Sequence, residues 1–353
     1  MYEQIKVGII GAGANTTLKH IPLLQKIPGV EVVSIANRSV KSSSAVASQF
    51  EIKNYYDNWL KVIDDSSLDA IVIGTWPNLH KTLSIEALQS GKHVLCEARM
   101  CMNSLEAEEM LSCSNKHPNL IAQIVPAPHT LPIDKTIKRL ISSGYIGDLI
   151  NLRGMVTAGN DFPKKSENFH WRNNRDLSGN NIMQMGIWYE AIMRWIGPAK
   201  SVLSNAQTIM NPRLDESGNV VFTDIPDHLD VLCEMIAGGT ANLQFTMVSG
   251  MAPESEMWIH GTEGVIVIKT ETTQDAGAPN LKIYGAQKGQ TSLTEILVPD
   301  DEKGSWRVEE EFINAIRGKE EITHTSFNDG VKYMKFTDAI FESYSNGVKI
   351  NLD

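Results

Sequence analysis

Residues 5–16 read "IKVGIIGAGANT". The β-branched run over 5–10 predicts a buried strand, and it stops at Gly11 and Gly13. Gly11 permits a tight turn, Gly13 lets the backbone approach a pyrophosphate, and the helix that follows aims its free amides at the phosphates. Asn15 and Thr16 complete the loop, with Thr16 where a third glycine is usual. Glycine turns also serve packing, so the phrase alone is weak. Its place between a first strand and a first helix makes it a dinucleotide site.

The pattern continues outward in the same grammar. Strand-like runs at 31–36, 69–75, 93–97 and 119–125 alternate with helical stretches at 42–50, 80–91 and 104–117. Short β-rich runs separated by single helices imply parallel strands with crossover helices, a doubly wound α/β domain over 1–126. "VPAPHTLP" (125–132) then places three prolines in eight residues and breaks the alternation. A helix over 133–144 is followed by long β-prone segments at 149–158, 230–250, 256–262 and 264–270, with hairpins at "AGGT" (237–240) and "GTEG" (261–264). Residues 127–353 therefore read as an α+β domain. Its mostly antiparallel open sheet is expected to be covered by helices at 180–196, 305–318 and 327–347.

The bulk numbers agree with two globular domains: 353 residues, 42% hydrophobic. A net charge of −10 argues against nucleic acid and anionic membranes as partners and favours a small-molecule ligand. Four cysteines without a CxxC pair, and no leader-like apolar segment, point to a reducing, cytoplasmic setting. No metal site is expected, because "DHLD" (227–230) precedes a strand whose alternation would separate its acids. "TTLKH" (16–20) and the pair His20, Pro22 read as helix packing.

The second strand normally ends in an acid that holds the adenosine ribose; here it ends in Asn37, Arg38 and Ser39, with Lys41 close by. With no carboxylate there to repel a 2′-phosphate and Arg38 available to pair with one, NADP is favoured over NAD. The alternative is that Asn37 binds the ribose of NAD and Arg38 is solvated.

Four further phrases, "TWPNLH" (75–80), "EALQSGKHVLCEARM" (86–100), "LISSGYIGDL" (140–149) and "HWRNNRDLSGNNIMQMGIWYE" (170–190), resemble the glucose-fructose oxidoreductase, inositol dehydrogenase and MocA family. The resemblance runs through nearly the whole chain in the family's order. It implies a nicotinamide cofactor at the strand ends, a sugar or polyol substrate, and a homo-oligomer, dimer or tetramer, formed through the open sheet. It also implies that Glu97, Trp171 and Arg172 contact the cofactor; Thr75 and Trp76 at the third strand end are expected in the same set, and His80 there either packs or contacts the cofactor ribose. The family's catalytic lysine, aspartate and histidine fall at Ala98, Gln184 and Trp188, and Arg99 replaces the proline of the EKP motif. Alanine cannot titrate, and neither glutamine nor tryptophan is a useful base near neutral pH.

Another group must move the proton, and His129, His170 and Tyr189 are the candidates. Arg99, Gln184 and Trp188 are expected to touch substrate: the guanidinium as an anion anchor, the amide through hydroxyls, the indole by stacking on a sugar ring. Glu190 pairing with Arg194 at i+4 is the ordinary reading of that charge. The leading function is an NAD(P)-dependent oxidoreductase of a sugar, polyol or sugar acid. The alternatives are a glycoside-cleaving enzyme that oxidises its substrate transiently, and a cofactor-binding sensor without turnover.

Overall fold

Six short strands, β1 (Ile5–Ile10), β2 (Val30–Ala36), β3 (Asn54–Tyr56), β4 (Ala70–Ile73), β5 (His93–Cys96) and β6 (Ala122–Ile124), pair in parallel in the order β3-β2-β1-β4-β5-β6. The computed structural model describes residues 4–158, 162–164, 168–271 and 280–352. Apolar runs such as "AIVI" in β4 are buried on both faces, as crossover helices on both sides require. Those helices include α1 (Ile21–Lys26), α2 (Val40–Gln49), α3 (Leu60–Ile63), α4 (Pro77–Gln89) and α5 (Ser104–Lys116). The Ser39 and Asn103 side chains cap α2 and α5, and Pro77 opens α4. Strand order reverses between β1 and β4, and ligands of such sheets bind at the carboxyl ends beside that point.

The missing third glycine is explained at this place. In the usual fingerprint it lets helix and strand approach closely; here Thr16 is buried and its hydroxyl donates to Gly11 O at 3.2 Å. The small residue stands instead on the strand side. A Cβ on Gly74, just beyond β4, would lie 2.1 Å from Thr16 Oγ1 and 2.3 Å from Gly11 O. Thr16 to His20 form a π-helical turn before α1, where the sequence predicts an ordinary helix.

The second sheet has nine strands: β7 (Leu149–Thr157), β8 (Ala199–Gln207), β11 (His228–Met235), β12 (Thr240–Thr246), β13 (Glu256–Gly261), β14 (Gly264–Glu271), β15 (Asn280–Gln287), β16 (Thr294–Ile296) and β17 (Ile350–Asn351), with β9 (Arg213–Leu214) and β10 (Val220–Val221) as a separate ribbon. Their order is β16-β15-β14-β13-β7-β12-β11-β8-β17, antiparallel throughout except for the parallel pair β12 and β7. Both predicted hairpins form, with Gly238 and Gly239 at positive φ in the first. Burial alternates along β11, so Leu229, Val231, Cys233 and Met235 face the core. Helices α6 (Leu131–Ser142) and α8 (Met183–Ile196) pair with one another in the same unit, and a short α7 (Arg175–Ser178) precedes α8.

Two compact units result, one of Met1–Pro126, Asp176–Gly179 and Arg307–Met334, the other of Ala127–Arg175, Asn180–Trp306 and Lys335–Asp353. The first break between the units falls at 126/127, and the late helices are not both spent on the second sheet. Helix α9 (Val308–Ile316) and the start of α10 (Phe327–Asn346) belong to the first unit. The reason lies on β6, where Gln123 Nε2 donates to Glu311 Oε2 at 2.7 Å and to His324 O at 2.6 Å, and Ile124 and Thr325 exchange backbone hydrogen bonds. The returning chain satisfies the open edge of the parallel sheet. Among the described residues no helix is long and apolar enough to cross a membrane.

Gly74→Ala should lower thermal stability by the equivalent of about 1–3 kcal/mol, since backbone and Thr16 must both give way. Gly91→Ala, at φ 74° with nothing within 4 Å of the added methyl, should cost only about 1 kcal/mol. A Gly91→Ala variant less stable than Gly74→Ala would contradict this account.

Candidate active site

The first unit holds a cavity of about 310 Å³ at the carboxyl ends of β1, β2 and β4, lined by Gly11, Gly13, Asn37, Arg38, Thr75 and Trp76 among others. Gly11 sits at φ 85°, and a Cβ there would be 2.6 Å from the Thr75 amide nitrogen. Asn37 Oδ1 accepts the Ala12 amide at 2.7 Å and so fixes the glycine loop. The position that usually holds a ribose is occupied in bracing the phosphate loop. Arg38 lies with its guanidinium carbon 4.8 Å from the Trp76 ring centroid, a cation–π contact that bounds one side of the cavity. Ser39 is committed to its helix cap, while Ser42 one turn on lines the cavity. A carboxylate does enter the cavity: Asp57, from the end of β3, an element the sequence reading had not separated out.

Glu97, just beyond β5, is the hub of a buried ionic group. Its Oε1 accepts from Asn15 Nδ2 in the glycine loop and stands 3.0 Å from His20 Nε2; its Oε2 accepts the Ala98 amide at 3.1 Å. His20 is fully buried, and its other ring nitrogen, Nδ1, is 2.6 Å from Glu309 Oε1 on α9. Both ring nitrogens therefore face carboxylate oxygens, which a doubly protonated imidazolium satisfies. Burial pushes the His20 pKa down, but hydrogen bonds and charge from Glu309 and Glu97 outweigh it and raise the pKa to about 9. Burial likewise opposes the Glu97 charge; the hydrogen bond and charge of His20, with Asn15 and the Ala98 amide, hold its pKa below the usual carboxylate value. His20 thus belongs to a buried ionic group, in addition to the helix packing expected from "TTLKH". Its partners lie 77 and 289 residues away. The available signal was a lone histidine in the first apolar turn after the loop, because a buried imidazole requires partners.

His80 packs at the strand end, the first of its two expected roles. It is completely buried, with ring nitrogens 2.9 Å from Arg99 O and 3.0 Å from Thr75 O, and burial holds its pKa below the ordinary imidazole value. It ties the end of β4 to the segment after β5 and cannot touch a cofactor ribose. Arg99 is only 8% exposed, its guanidinium carbon 5.1 Å from the Tyr333 ring centroid, and the Tyr333 hydroxyl accepts the Met100 amide at 2.7 Å. That makes Arg99 a brace of the strand end and not an exposed anion anchor.

In the second unit, α8 is buried from Met185 to Ile192. Tyr189 stacks on Phe336 at 3.4 Å between centroids, its oxygen accepts the Ala199 amide, and burial pushes its pKa up. Tyr189 is therefore a core residue and not the acid–base group expected from the sequence. Trp188, 4% exposed, has no open face for a sugar ring, whereas Gln184 is half-buried. Glu190 does pair with Arg194, at 2.8 Å, but inside the unit: Arg194 also donates to Asp134 and Thr130, and Glu190 accepts the Ala127 amide. This network pins residues 127–130, and half-buried His129 lies within that segment. His170 is exposed and caps a 3-10 turn, its Nδ1 accepting the Arg172 amide at 3.2 Å; burial and the Arg172 charge lower its pKa. Arg172 lies over the Trp171 ring at 4.3 Å.

Residues 5–124 match the model of the oxidoreductase family with an NAD-binding Rossmann fold, and residues 135–267 match the GFO/IDH/MocA C-terminal domain. The chain belongs to the GFO/IDH/MocA family. Relatives of this GFO/IDH/MocA protein include an uncharacterised oxidoreductase of Rhizobium meliloti, 28% identical over 56% of this chain and 58% of its own length. The scyllo-inositol 2-dehydrogenase (NAD(+)) of Bacillus subtilis is 24% identical over 76% of this chain and 75% of its own. A levoglucosan dehydrogenase solved with NADH and L-sorbose shares the fold, with a TM-score of 0.81, 20% identity and 99% of each chain covered.

A histidine whose pKa is raised on folding contributes stability that is complete below its unfolded value, near 6.5, and lost as pH rises through about 9. Between those limits the native protein should lose roughly 3 kcal/mol of unfolding free energy relative to His20→Gln, at about 1.4 kcal/mol per pKa unit. Denaturant titrations at pH 6, 7.5 and 9.5 check this. Parallel profiles for the two proteins would contradict it.

Proposed function

We propose that the protein is an NAD(P)-dependent oxidoreductase that transfers hydride to or from a carbinol carbon of a sugar, polyol or sugar acid. The observation that carries this reading is the phosphate cradle: a glycine loop with no room for a Cβ at Gly11, clamped by Asn37 and opening into a cavity of about 310 Å³. These features fit the diphosphate and adenosine end of a dinucleotide. When bound, the cofactor supplies a two-electron hydride acceptor or donor. The relatives' substrates, an inositol in one protein and the levoglucosan of the other's name, support a polyhydroxylated substrate.

Glu97, held ionised, accepts a hydroxyl hydrogen of the nicotinamide ribose. The free loop amides receive the diphosphate while Asn37 holds the loop in place, with Trp171 and Arg172 as further cofactor contacts. Arg38 favours NADP over NAD by offering a guanidinium to a 2′-phosphate. Ala98 cannot carry the substrate's proton, so His129, on its pinned segment, takes it as base. His170 accepts at Nδ1 and so in its neutral form keeps its proton on Nε2, where it donates to a substrate oxygen. Gln184 binds a neighbouring hydroxyl.

Incubation with NAD or NADP and a panel of sugars, polyols and sugar acids should give reduced cofactor, with NADPH bound more tightly than NADH. His129→Asn should lower kcat by roughly 100-fold or more while leaving cofactor affinity unchanged. Cofactor binding without turnover on any substrate would favour the sensor reading. Turnover of His129→Asn within twofold of native would move the base elsewhere.

A further inference from the structure

We propose that His20 and Glu309 are positioning residues for the nicotinamide half of the cofactor: the buried pair fixes the Glu97 carboxylate where the nicotinamide ribose meets the end of β5. This rests on the oxidoreductase reading above and names residues that the reading does not need. Three observations carry it. A buried ion triad is a poor source of stability, because desolvating each ion costs several kcal/mol and apolar replacements do as well or better. Yet His20 is wholly buried and Glu309 2% exposed in its side chain, while the Glu97 side chain is 16% exposed. The triad thus has one closed end and one end open to a ligand.

Among the described residues, every side-chain or amide donor found on Glu97 comes from a segment that builds the cofactor site: Asn15 from the glycine loop, His20 from the turn behind it, and the Ala98 amide from the strand end. Rotation of this carboxylate would disengage all three. Glu309 fixes which way the imidazole faces and keeps both ring nitrogens protonated, as the partner of one histidine nitrogen sets the state of the other. Two carboxylates and one imidazolium leave a net negative charge, which suits a site that must accept the hydrogen of a ribose hydroxyl and not its oxygen. The groups facing His20 include Glu97 beyond β5, Glu309 on α9 and Asn15 in the loop; Lys19 on its own turn is exposed.

The test compares NADH with ADP, which lacks the nicotinamide ribose, by titration of the full chain carrying His20→Gln or Glu309→Gln. NADH affinity should fall about tenfold in His20→Gln and about threefold in Glu309→Gln, with ADP affinity within twofold of native in both. Native NADH affinity should hold from pH 6 to 8 and weaken relative to ADP as pH passes 9, and in Glu309→Gln that weakening should begin below pH 8. Variants that bind NADH as the native protein does, or that lose NADH and ADP equally while folded, overturn the positioning role. If His20→Gln fails to fold, seen as loss of ADP binding, Glu309→Gln decides; if both fail, the native pH profile decides, and a constant NADH to ADP ratio through pH 9.5 overturns it. A native chain that binds neither nucleotide refutes the oxidoreductase reading itself.

Discussion

A histidine sealed between two carboxylates is the interaction that joins remote segments of the first unit. An imidazolium in a protein interior is tolerated only where its charge is answered and both N–H groups have acceptors. His20 meets that condition by drawing together the turn after the glycine loop, the end of β5 and helix α9, whose Glu309 comes from near the far end of the chain. The return of residues 307–334 to the parallel sheet has the same logic: Gln123 reaches Glu311, and Ile124 pairs with Thr325. A crossover domain that would otherwise end at β6 is closed by a segment added after the whole second unit.

The same economy of contacts explains two departures from the expected pattern. The third glycine is absent because the small residue is Gly74 on the strand, with Thr16 filling the space from the helix side and donating to Gly11 O. Asn37 replaces the usual acid and clamps the Ala12 amide, while Arg38, Ser42, Trp76 and Asp57 line the cavity beside it. Both changes tie the phosphate loop through hydrogen bonds to its own backbone. Rigidity there matters, because a cradle of backbone amides stabilises an anion only when the amides already point at it.

The fold was legible wherever local chemistry decides it. The run over 5–16 specified strand, loop and helix start, and the glycine pairs at 238–239 and 261–264 specified two hairpins that form as expected. Pairings set by sequence separation were not legible: the parallel match of β12 with β7, or the return of α9 to the first unit. The site divides in the same way. Gly11, Gly13, Asn37, Arg38, Thr75 and Trp76 do line one cavity, because they sit at strand ends that the topology brings together. His20 went unrecognised because its partners are remote, and Tyr189 was misjudged because α8 is buried on nearly every side, so helical spacing cannot tell a ligand-facing stripe from a core-facing one. His80 and Arg99 sit at the right strand ends but turn inward, a choice of rotamer that sequence position does not encode.

The most direct measurement of this account is the nitrogen NMR spectrum of the His20 ring, assigned by comparison with His20→Gln. At pH 7 both ring nitrogens should carry protons, with shifts that stay constant until the pH approaches 9. A neutral ring at pH 7, with one protonated and one bare nitrogen, would contradict the ion triad and everything placed upon it.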